Sequence, residues 1–421
     1  MVANNLGDLV INNEFEQALG ILNNTPNNLF VEGKAGTGKT TFVKYVKNNY
    51  DGNVVVVAPT GGAAVNIKGS TIHSFFKFKI GFIDKDDRKQ VKHIKSDASR
   101  KIYEKIDLLI IDEISMVRPD LFDAIETFMR LNGKLPGQPF GGAKVLVVGD
   151  MKQLPPIVQR GDPLLQVYKG RFFRDSEAYE KAMFKKVDFQ QVFRQADQKF
   201  VNILNEVRDG KVSRESMEVL NSRALSNLGG AVDLEDVITL TPYRKSADDI
   251  NNIQLRNLDA EEIEFAAETS GDADRMKAAF PAPEKLVLKE GALIMFVKND
   301  PSKRWVNGST GVVLAIESDS IVVEVNGKVR RVEKEIWEHV SYNYNEETEH
   351  IDEEVVGRFV QFPLMLAWAV TIHKAQGKTM DRVVVDLGRG AFEKGQTYVA
   401  LSRCKTLEGL YLKYPLTYRD F

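Results

Sequence analysis

The sequence predicts an α/β fold: parallel sheets with helices on both faces, arranged in two lobes, with a small β-barrel inserted in the second. Three observations predict it. Short, continuously apolar runs at Leu29–Glu32, Val54–Ala58, Leu108–Ile111 and Val145–Val148 alternate with loops and helical patterns, as in a parallel sheet covered on both faces. A second strand–loop–helix series opens at Val237–Leu240. From Gly291 the pattern switches to short strands separated by turns at Asn299-Asp300, Ser318-Asp319 and Asn326-Gly327.

In chain order, residues 8–24 carry Leu9, Val10, Ile11, Phe15, Leu19, Ile21 and Leu22, which suits an amphipathic helix or helix pair before the first strand. Gln17 in this stretch is a candidate to read an adenine edge. Leu29–Glu32 ends a buried strand. Gly33-Lys34-Ala35-Gly36-Thr37-Gly38-Lys39-Thr40 then matches G-x-x-x-x-G-K-[ST] at every fixed position. The glycines let successive backbone N–H groups turn inward toward a polyphosphate. Phe42, Val43 and Val46 keep helical spacing beyond Lys39, so a helix N-terminus faces the same anion. Lys39 would bridge the β- and γ-phosphates, and the Thr40 hydroxyl would hold Mg²⁺. Gly33, Ala35, Gly36, Thr37, Gly38, Lys39, Thr40 and Thr41 are the candidate nucleotide-binding residues of this loop.

Val54–Ala58 leads into Pro59, Thr60, Gly61 and Gly62, then a short helix over 63–68. Residues 76–105 hold ten Lys/Arg against five Asp/Glu, and Phe75, Phe76, Phe78 and Phe82 lie at the near end. Basic charge beside aromatics suits a nucleic-acid strand, and equally a solvated helical insert with a small core. Asp107–Glu113, DLLIIDE, places Asp112 and Glu113 at the end of an apolar strand, 73 residues after Lys39. Pro119 starts a helix with Leu121, Phe122, Ile125, Phe128 and Met129 at helical spacing. The strand at Val145–Val148 ends in GDMKQLPP. Residues 158–190 read as irregular and helical connection. Tyr342–Glu354, with six acidic residues and no Lys or Arg, reads as an exposed loop. Phe359–Ile372, Val383–Asp386 and Leu410–Lys413 read as the later buried strands.

Composition sets bounds. The chain has 421 residues, 43% hydrophobic and 28% charged, with net charge −2, so it is large enough for two to four domains and carries no bulk signal for nucleic acid. Contact with nucleic acid must come from local patches. The single cysteine, Cys404, excludes intramolecular disulfides and fits a reducing compartment. The N-terminal stretch lacks a basic segment followed by an apolar run, and the apolar runs are far too short to span a bilayer. The expectation is a cytoplasmic protein with no targeting sequence and no membrane contact.

The chemistry falls on a few residues. After a phosphate-binding loop, Asp112 would bind Mg²⁺ through water and Glu113 would orient the attacking water. Two adjacent acids after a buried strand are costly to place unless they are used. The Gln153 amide is a candidate to touch the γ-phosphate. Arg194, in VFRQ, and Arg403, in YVALSRCKT, are candidate arginine fingers, since planar guanidinium groups match transferring phosphate oxygens. In TIHKAQGKT, His373 and Lys374 suit a nucleic-acid phosphate, while Gln376 and Gly377 would face the nucleotide. His73, in TIHSF, has a similar setting. No His/Cys cluster in the sequence suggests zinc.

Taken together, GKAGTGKT, VVVAPTGGAA with STIHSFF, LLIIDEISMV, KVLVVGDMKQLPPI, VFRQ, TIHKAQGKTM and YVALSRCKT resemble the motifs of superfamily 1 helicases over residues 33–406. EISMVRPDLFDAIETFMRLNGK with PFGG resembles the signature segment of the Pif-type (petite integration frequency) family. The resemblance implies two RecA-like lobes: 1–69 with 107–190, and 191–290 with 356–421. It also implies a small wedge insert at 70–106 and an SH3-like barrel at 291–355. It implies ATP and Mg²⁺ as cofactors and an ATP-dependent DNA helicase moving 5′→3′ on single-stranded DNA. Its substrates would be duplex, forked and G-quadruplex DNA, and it would act as a monomer in DNA replication, repair, recombination or telomere maintenance. Pro59, Thr60, His73, Ser74, Phe75, His373 and Lys374 are the candidate DNA contacts. The lack of long terminal extensions favours a bacterial or phage-like core enzyme. Two rival readings are a RecD-like, DNA-stimulated translocase and a nucleic-acid-binding module with structural ATP.

Overall fold

The computed structural model describes residues 11–159, 161–191, 197–229, 232–234, 237–273 and 280–421. The first part of the chain holds α1 (Asn13–Asn24), β1 (Asn28–Gly33), α2 (Lys39–Asn49), β2 (Val54–Ala58), α3 (Gly61–Asn66), β3 (Ser70–Thr71) and α4 (Ile72–Phe76). It continues through α5 (Asp97–Glu104), β4 (Leu108–Ile111), α6 (Pro119–Asn132), β5 (Lys144–Gly149), α7 (Leu164–Val167), α8 (Glu177–Lys181) and β6 (Phe184–Phe189). Its strands form one parallel sheet in the order β3-β2-β4-β5-β1-β6.

The continuous apolar strands have the expected consequence. Phe30, Val55, Val57, Leu109, Ile111, Val145 and Val147 face one helical layer. Leu29, Val31, Val56, Leu108, Ile110, Leu146 and Val148 face the other. A strand whose two faces both lie in core cannot show the alternation of a half-solvated strand.

The rest of the chain holds α9 (Gln198–Asp209), α10 (Arg214–Asn221), β7 (Ile238–Thr241), α11 (Arg244–Asn257), β8 (Ile263–Ala266), β9 (Glu268–Gly271), β10 (Lys285–Leu288), β11 (Leu293–Phe296), β12 (Thr310–Ile316), β13 (Ser320–Val325) and β14 (Lys328–Glu333). Then come β15 (Glu335–Asn345), β16 (His350–Gln361), β17 (Leu364–Leu366), β18 (Ala369–Thr371), α12 (Ile372–Ala375), β19 (Val383–Val385), α13 (Gln396–Leu401) and β20 (Leu410–Leu412). A second parallel sheet, β18-β7-β19-β20, forms the second lobe. The insert is an antiparallel sheet, β14-β13-β12-β11-β17, over its own apolar cluster with Phe296 and Trp305 stacked 4.4 Å apart. The Asn326-Gly327 turn joins β13 to β14 with both residues at positive φ, 52° and 67°, as a tight hairpin requires.

Four sequence expectations are corrected. Residues 158–190 are not all connection, because β6 extends the first sheet beside β1. Its Lys185 and Lys186 are the charges of an exposed edge strand, which hid the apolar signal. The start of the 70–106 segment belongs to the lobe, since β3 pairs with β2. Phe75, Phe76 and Phe78 are core residues, packed with Tyr103 and Phe128 at ring distances of 4.8–6.3 Å. Burying each ring contributes about 1.5–3 kcal/mol, so a platform for nucleic-acid bases is not their role here. Finally, Tyr342–Glu354 is not a loop. β15 and β16 pair through eleven positions, and the turn occupies only 346–349. Tyr342 lies 4% exposed in the first lobe's core, its hydroxyl bonded to Val56 N and O at 3.2 and 3.1 Å.

Candidate active site at the seam of the two lobes

The loop Gly33–Thr40 runs from the carboxyl end of β1 to α2, with Gly36 and Gly38 at φ 80° and 84°. These are left-handed conformations that suit glycine and turn the backbone N–H groups to one side. Lys39 Nζ donates to the Gly33 and Lys34 carbonyl oxygens, each at 2.8 Å, and Thr37 Oγ1 donates to Lys34 O. Thr40 sits half-buried on the first turn of α2, and Thr41 is exposed. Gln17 is also exposed, on a helix anchored to α2 through Phe15 against Phe42 and Tyr45. Among the described residues no hydrogen bond joins its amide to the loop.

Two strands along, Asp112 and Glu113 follow the carboxyl end of β4. Asp112 is 6% exposed, and Glu113 adopts φ 50°. Strain of that kind in a non-glycine residue is characteristic of functional sites. Burial first, and then the neighbouring Glu113 charge, push Asp112 up to about 7. Burial raises Glu113 too, against the pull of Lys39 and Arg403. Buried, mutually repelling carboxylates beside an ammonium call for a cation. The residues fit magnesium, which favours one or two carboxylates with a hydroxyl and phosphate oxygens over an all-protein cage. No cluster of three His, Cys, Asp or Glu that could hold a metal ion is found among the described residues.

The second lobe closes on this point. Gln376, just past α12, donates to Glu113 Oε2 and to Gln153 Oε1, each at 3.2 Å. Gln153 in turn donates to Asp150 Oδ2 at 3.3 Å. Gly377 follows at φ 80°. Arg403 is 1% exposed, and its guanidinium donates to Val399 O, Lys378 O and Ser402 Oγ at 2.8, 3.2 and 2.8 Å. The structure therefore brings Lys39, Asp112, Glu113, Gln153, Gln376 and Arg403 to one seam. Arg194 lies outside the described residues.

The candidate nucleic-acid contacts are split between the lobes and share one local design. Thr60 caps α3, Thr71 caps α4 and Thr371 caps α12, each by accepting a backbone N–H. Thr71 and Thr371 have almost the same backbone angles, φ −76° ψ 147° and φ −73° ψ 148°. Thr-Ile-His thus opens a short helix at a strand end in each lobe, presenting His73 with Ser74 and His373 with Lys374. Burial lowers the pKa of both imidazoles, so near neutral pH they are uncharged hydrogen-bonding groups. Pro59 precedes Thr60 at the end of β2, half-buried.

Sequence reading passed over three seam residues. Asp150 follows β5 just as Asp112 follows β4, and the same argument about a buried acid would have found it. Arg208 closes α9 beside the apolar stripe Phe200, Ile203, Leu204 and Val207, and donates to Asp150 at 3.0 Å. Tyr398 shares its motif with Arg403. No local pattern shows that either residue reaches the other lobe.

Residues 11–218 match the family model described as PIF1-like helicase. The chain is 33% identical over 392 residues to the ATP-dependent DNA helicase Pif1 of Bdellovibrio bacteriovorus, covering 91% of this chain and 84% of the relative. It is 34% identical to the human ATP-dependent DNA helicase PIF1, covering 91% of this chain but only 57% of that longer protein. The structure superposes on Bacteroides Pif1 in complex with ADP-AlF4 with a TM-score of 0.89 at 34% identity, over 98% of this chain and 94% of that one. Against Bacteroides Pif1 bound to single-stranded DNA, with the same identity and coverage, the TM-score is 0.69.

Proposed function

The chain belongs to the PIF1-like helicase family of ATP-hydrolysing DNA helicases, and from that premise we propose that it moves 5′→3′ along single-stranded DNA and separates duplex, forked and G-quadruplex DNA. One observation carries the motor reading. A single side chain of the second lobe, Gln376, bonds both Glu113 and Gln153 of the first, beside the phosphate-binding loop. Whatever nucleotide fills the loop therefore bears on the angle between the lobes.

ATP is held by the loop amides and Lys39, with Thr40 and Asp112 as the residues that would hold Mg²⁺. Magnesium supplies charge neutralisation on the β- and γ-phosphate oxygens. Glu113 orients the attacking water and takes up its proton. Gln153 and Gln376 report the terminal phosphate across the seam, and Arg403, with Arg194, stabilises charge developing on it. The strand would lie across both lobes on Pro59, Thr60, His73, Ser74, His373 and Lys374. The repeated Thr-Ile-His helix start supports that path, offering the strand one grip per lobe. A relative solved with single-stranded DNA supports the same substrate. Closing and reopening the seam would shift one grip relative to the other, as a monomer working in the cytoplasm.

Unwinding of matched partial duplexes with 5′ or 3′ single-stranded tails tests activity and direction together. Strand separation from the 5′ tail is expected. Separation from the 3′ tail alone would reverse the assigned polarity, and ATP hydrolysis with no separation on either substrate would sink the helicase reading.

A further inference from the structure

Tyr398 stands on α13 of the second lobe, yet its hydroxyl lies between two groups of the first. The Ala35 backbone N–H donates to Tyr398 Oη at 3.1 Å, and the Tyr398 hydroxyl donates to Asp150 Oδ2 at 3.3 Å. The other oxygen of Asp150 accepts from Arg208 at 3.0 Å, and the same guanidinium lies 3.7 Å from Glu32. Glu32 and Ala35 bracket Gly33 and Lys34, so second-lobe side chains hold both sides of the loop's first turn.

The packing agrees. Ala35 is 7% exposed and belongs, with Leu154 and Tyr398, to the second lobe's apolar cluster. Gly395 caps α13 at φ 85°, and a Cβ there would lie 2.6 Å from Lys152 O and 2.7 Å from Gln153 O. The N-terminus of α13 is therefore seated directly on the turn that carries Gln153.

Backbone N–H groups of such a loop ordinarily serve the bound anion. That of Ala35 ends instead on a phenol from the opposite lobe. A phenol donates and accepts at once, which a link between an N–H and a carboxylate requires. We infer that Tyr398 is a positioning residue for ATP hydrolysis: its hydroxyl registers the first turn of the loop against the second lobe, so that cleft closure and hydrolytic geometry are reached together. The inference rests on Gly33–Thr40 being the nucleotide loop. The link can form only when α13 is seated on the first lobe. It stabilises the closed state and leaves the loop's own grip on phosphate intact, so its loss belongs in kcat rather than in KM.

Tyr398→Phe tests this, because it keeps the ring in its apolar cluster and removes only the hydroxyl. Losing the hydroxyl's two hydrogen bonds, to Ala35 N–H and to Asp150, should lower kcat for ATP about 5- to 100-fold, both with and without single-stranded DNA, with KM for ATP within about twofold of the parent. Arg208→Gln acts through the same carboxylate, so the double variant should fall short of the product of the single effects. If Tyr398→Phe does not fold, Asp150→Asn weakens the same link at constant size, together with that carboxylate's contacts to Arg208 and Gln153, and should lower kcat at least as much, with KM within about twofold. An unchanged kcat in the folded variant, or a rise in KM alone, would overturn the inference. Strand separation measured alongside keeps the two readings apart. A parent that hydrolyses ATP but unwinds nothing fails the helicase reading, while kcat of Tyr398→Phe still decides this one.

Discussion

Replacing Lys39 by Ala takes the ammonium from the loop proposed to cradle the phosphates, and nucleotide turnover should be lost, with binding of a fluorescent ATP analogue weakened in parallel. Glu113→Gln should behave differently. It keeps the size and the contact to Gln376, so the analogue still binds, while DNA-stimulated hydrolysis falls about 10²–10⁴-fold for want of a base. Near-parental hydrolysis in Glu113→Gln would refute its role. The placement of both residues, one at the end of the glycine loop and one past a buried strand, was readable from sequence, because spacing within one loop or one strand end is local information. Lys378 was not. Its ammonium donates to Asn307, in the loop between β11 and β12 of the insert, at 2.7 Å, and burial pushes its pKa down to about 8 from an ordinary 10.5. Below pH 8 both folded and unfolded chains hold the proton. Between about 8 and 10.5 only the unfolded chain does, so stability should rise with pH across that window. Lys378→Met should remove the rise, by on the order of 1–2 kcal/mol, in denaturant titrations at pH 7.5 and 10.

At the scale of elements, the β15–β16 hairpin is the least expected feature. It leaves the insert and docks on the first lobe. Tyr342 completes the hydrogen bonding of Val56, where the two-residue strand β3 leaves β2 without a neighbour. Ile351 N donates to Asn53 Oδ1 at 2.8 Å, Lys47 pairs with Glu353, and Lys101 pairs with Glu346. The acidic stretch 342–354 thus answers part of the basic charge at 76–105 within the chain. Charge runs alone read as solvated surface or ligand site because a sequence does not say which run meets which. Tyr342→Phe should cost about 1–2 kcal/mol in urea unfolding, since it leaves Val56 N–H and C=O unpaired in a buried place. A variant as stable as the parent would show that the hydroxyl contributes nothing to docking.

For the whole molecule, a net charge of −2 gives no general attraction to DNA, so binding must be local and electrostatic. Affinity for an unstructured oligonucleotide should fall roughly tenfold or more between 50 and 200 mM salt, by fluorescence anisotropy, and should be nearly independent of base sequence. A flat salt response would argue against phosphate contacts by Lys374 and its neighbours. The lobes close on each other through polar links: Gln376 to Glu113 and Gln153, Tyr398 to Ala35 and Asp150, Arg208 to Asp150 and Glu32. Polar links of modest individual strength suit a seam that must open every cycle, where a large apolar interface would hold it shut.

The sequence by itself determined the class of fold, the Gly33–Thr40 loop between a strand and a helix, and the adjacent acids at the end of a buried strand. Each of these rests on interactions between residues near one another in the chain, and such interactions leave a period or a spacing to read. Only the tertiary structure decided which aromatic residues are core, that β6 and the long hairpin exist as they do, and that Tyr398 and Arg208 reach the loop. Those outcomes depend on contacts between segments up to some 360 positions apart, such as Ala35 with Tyr398, whose register follows from how two sheets pack and from nothing in either segment alone.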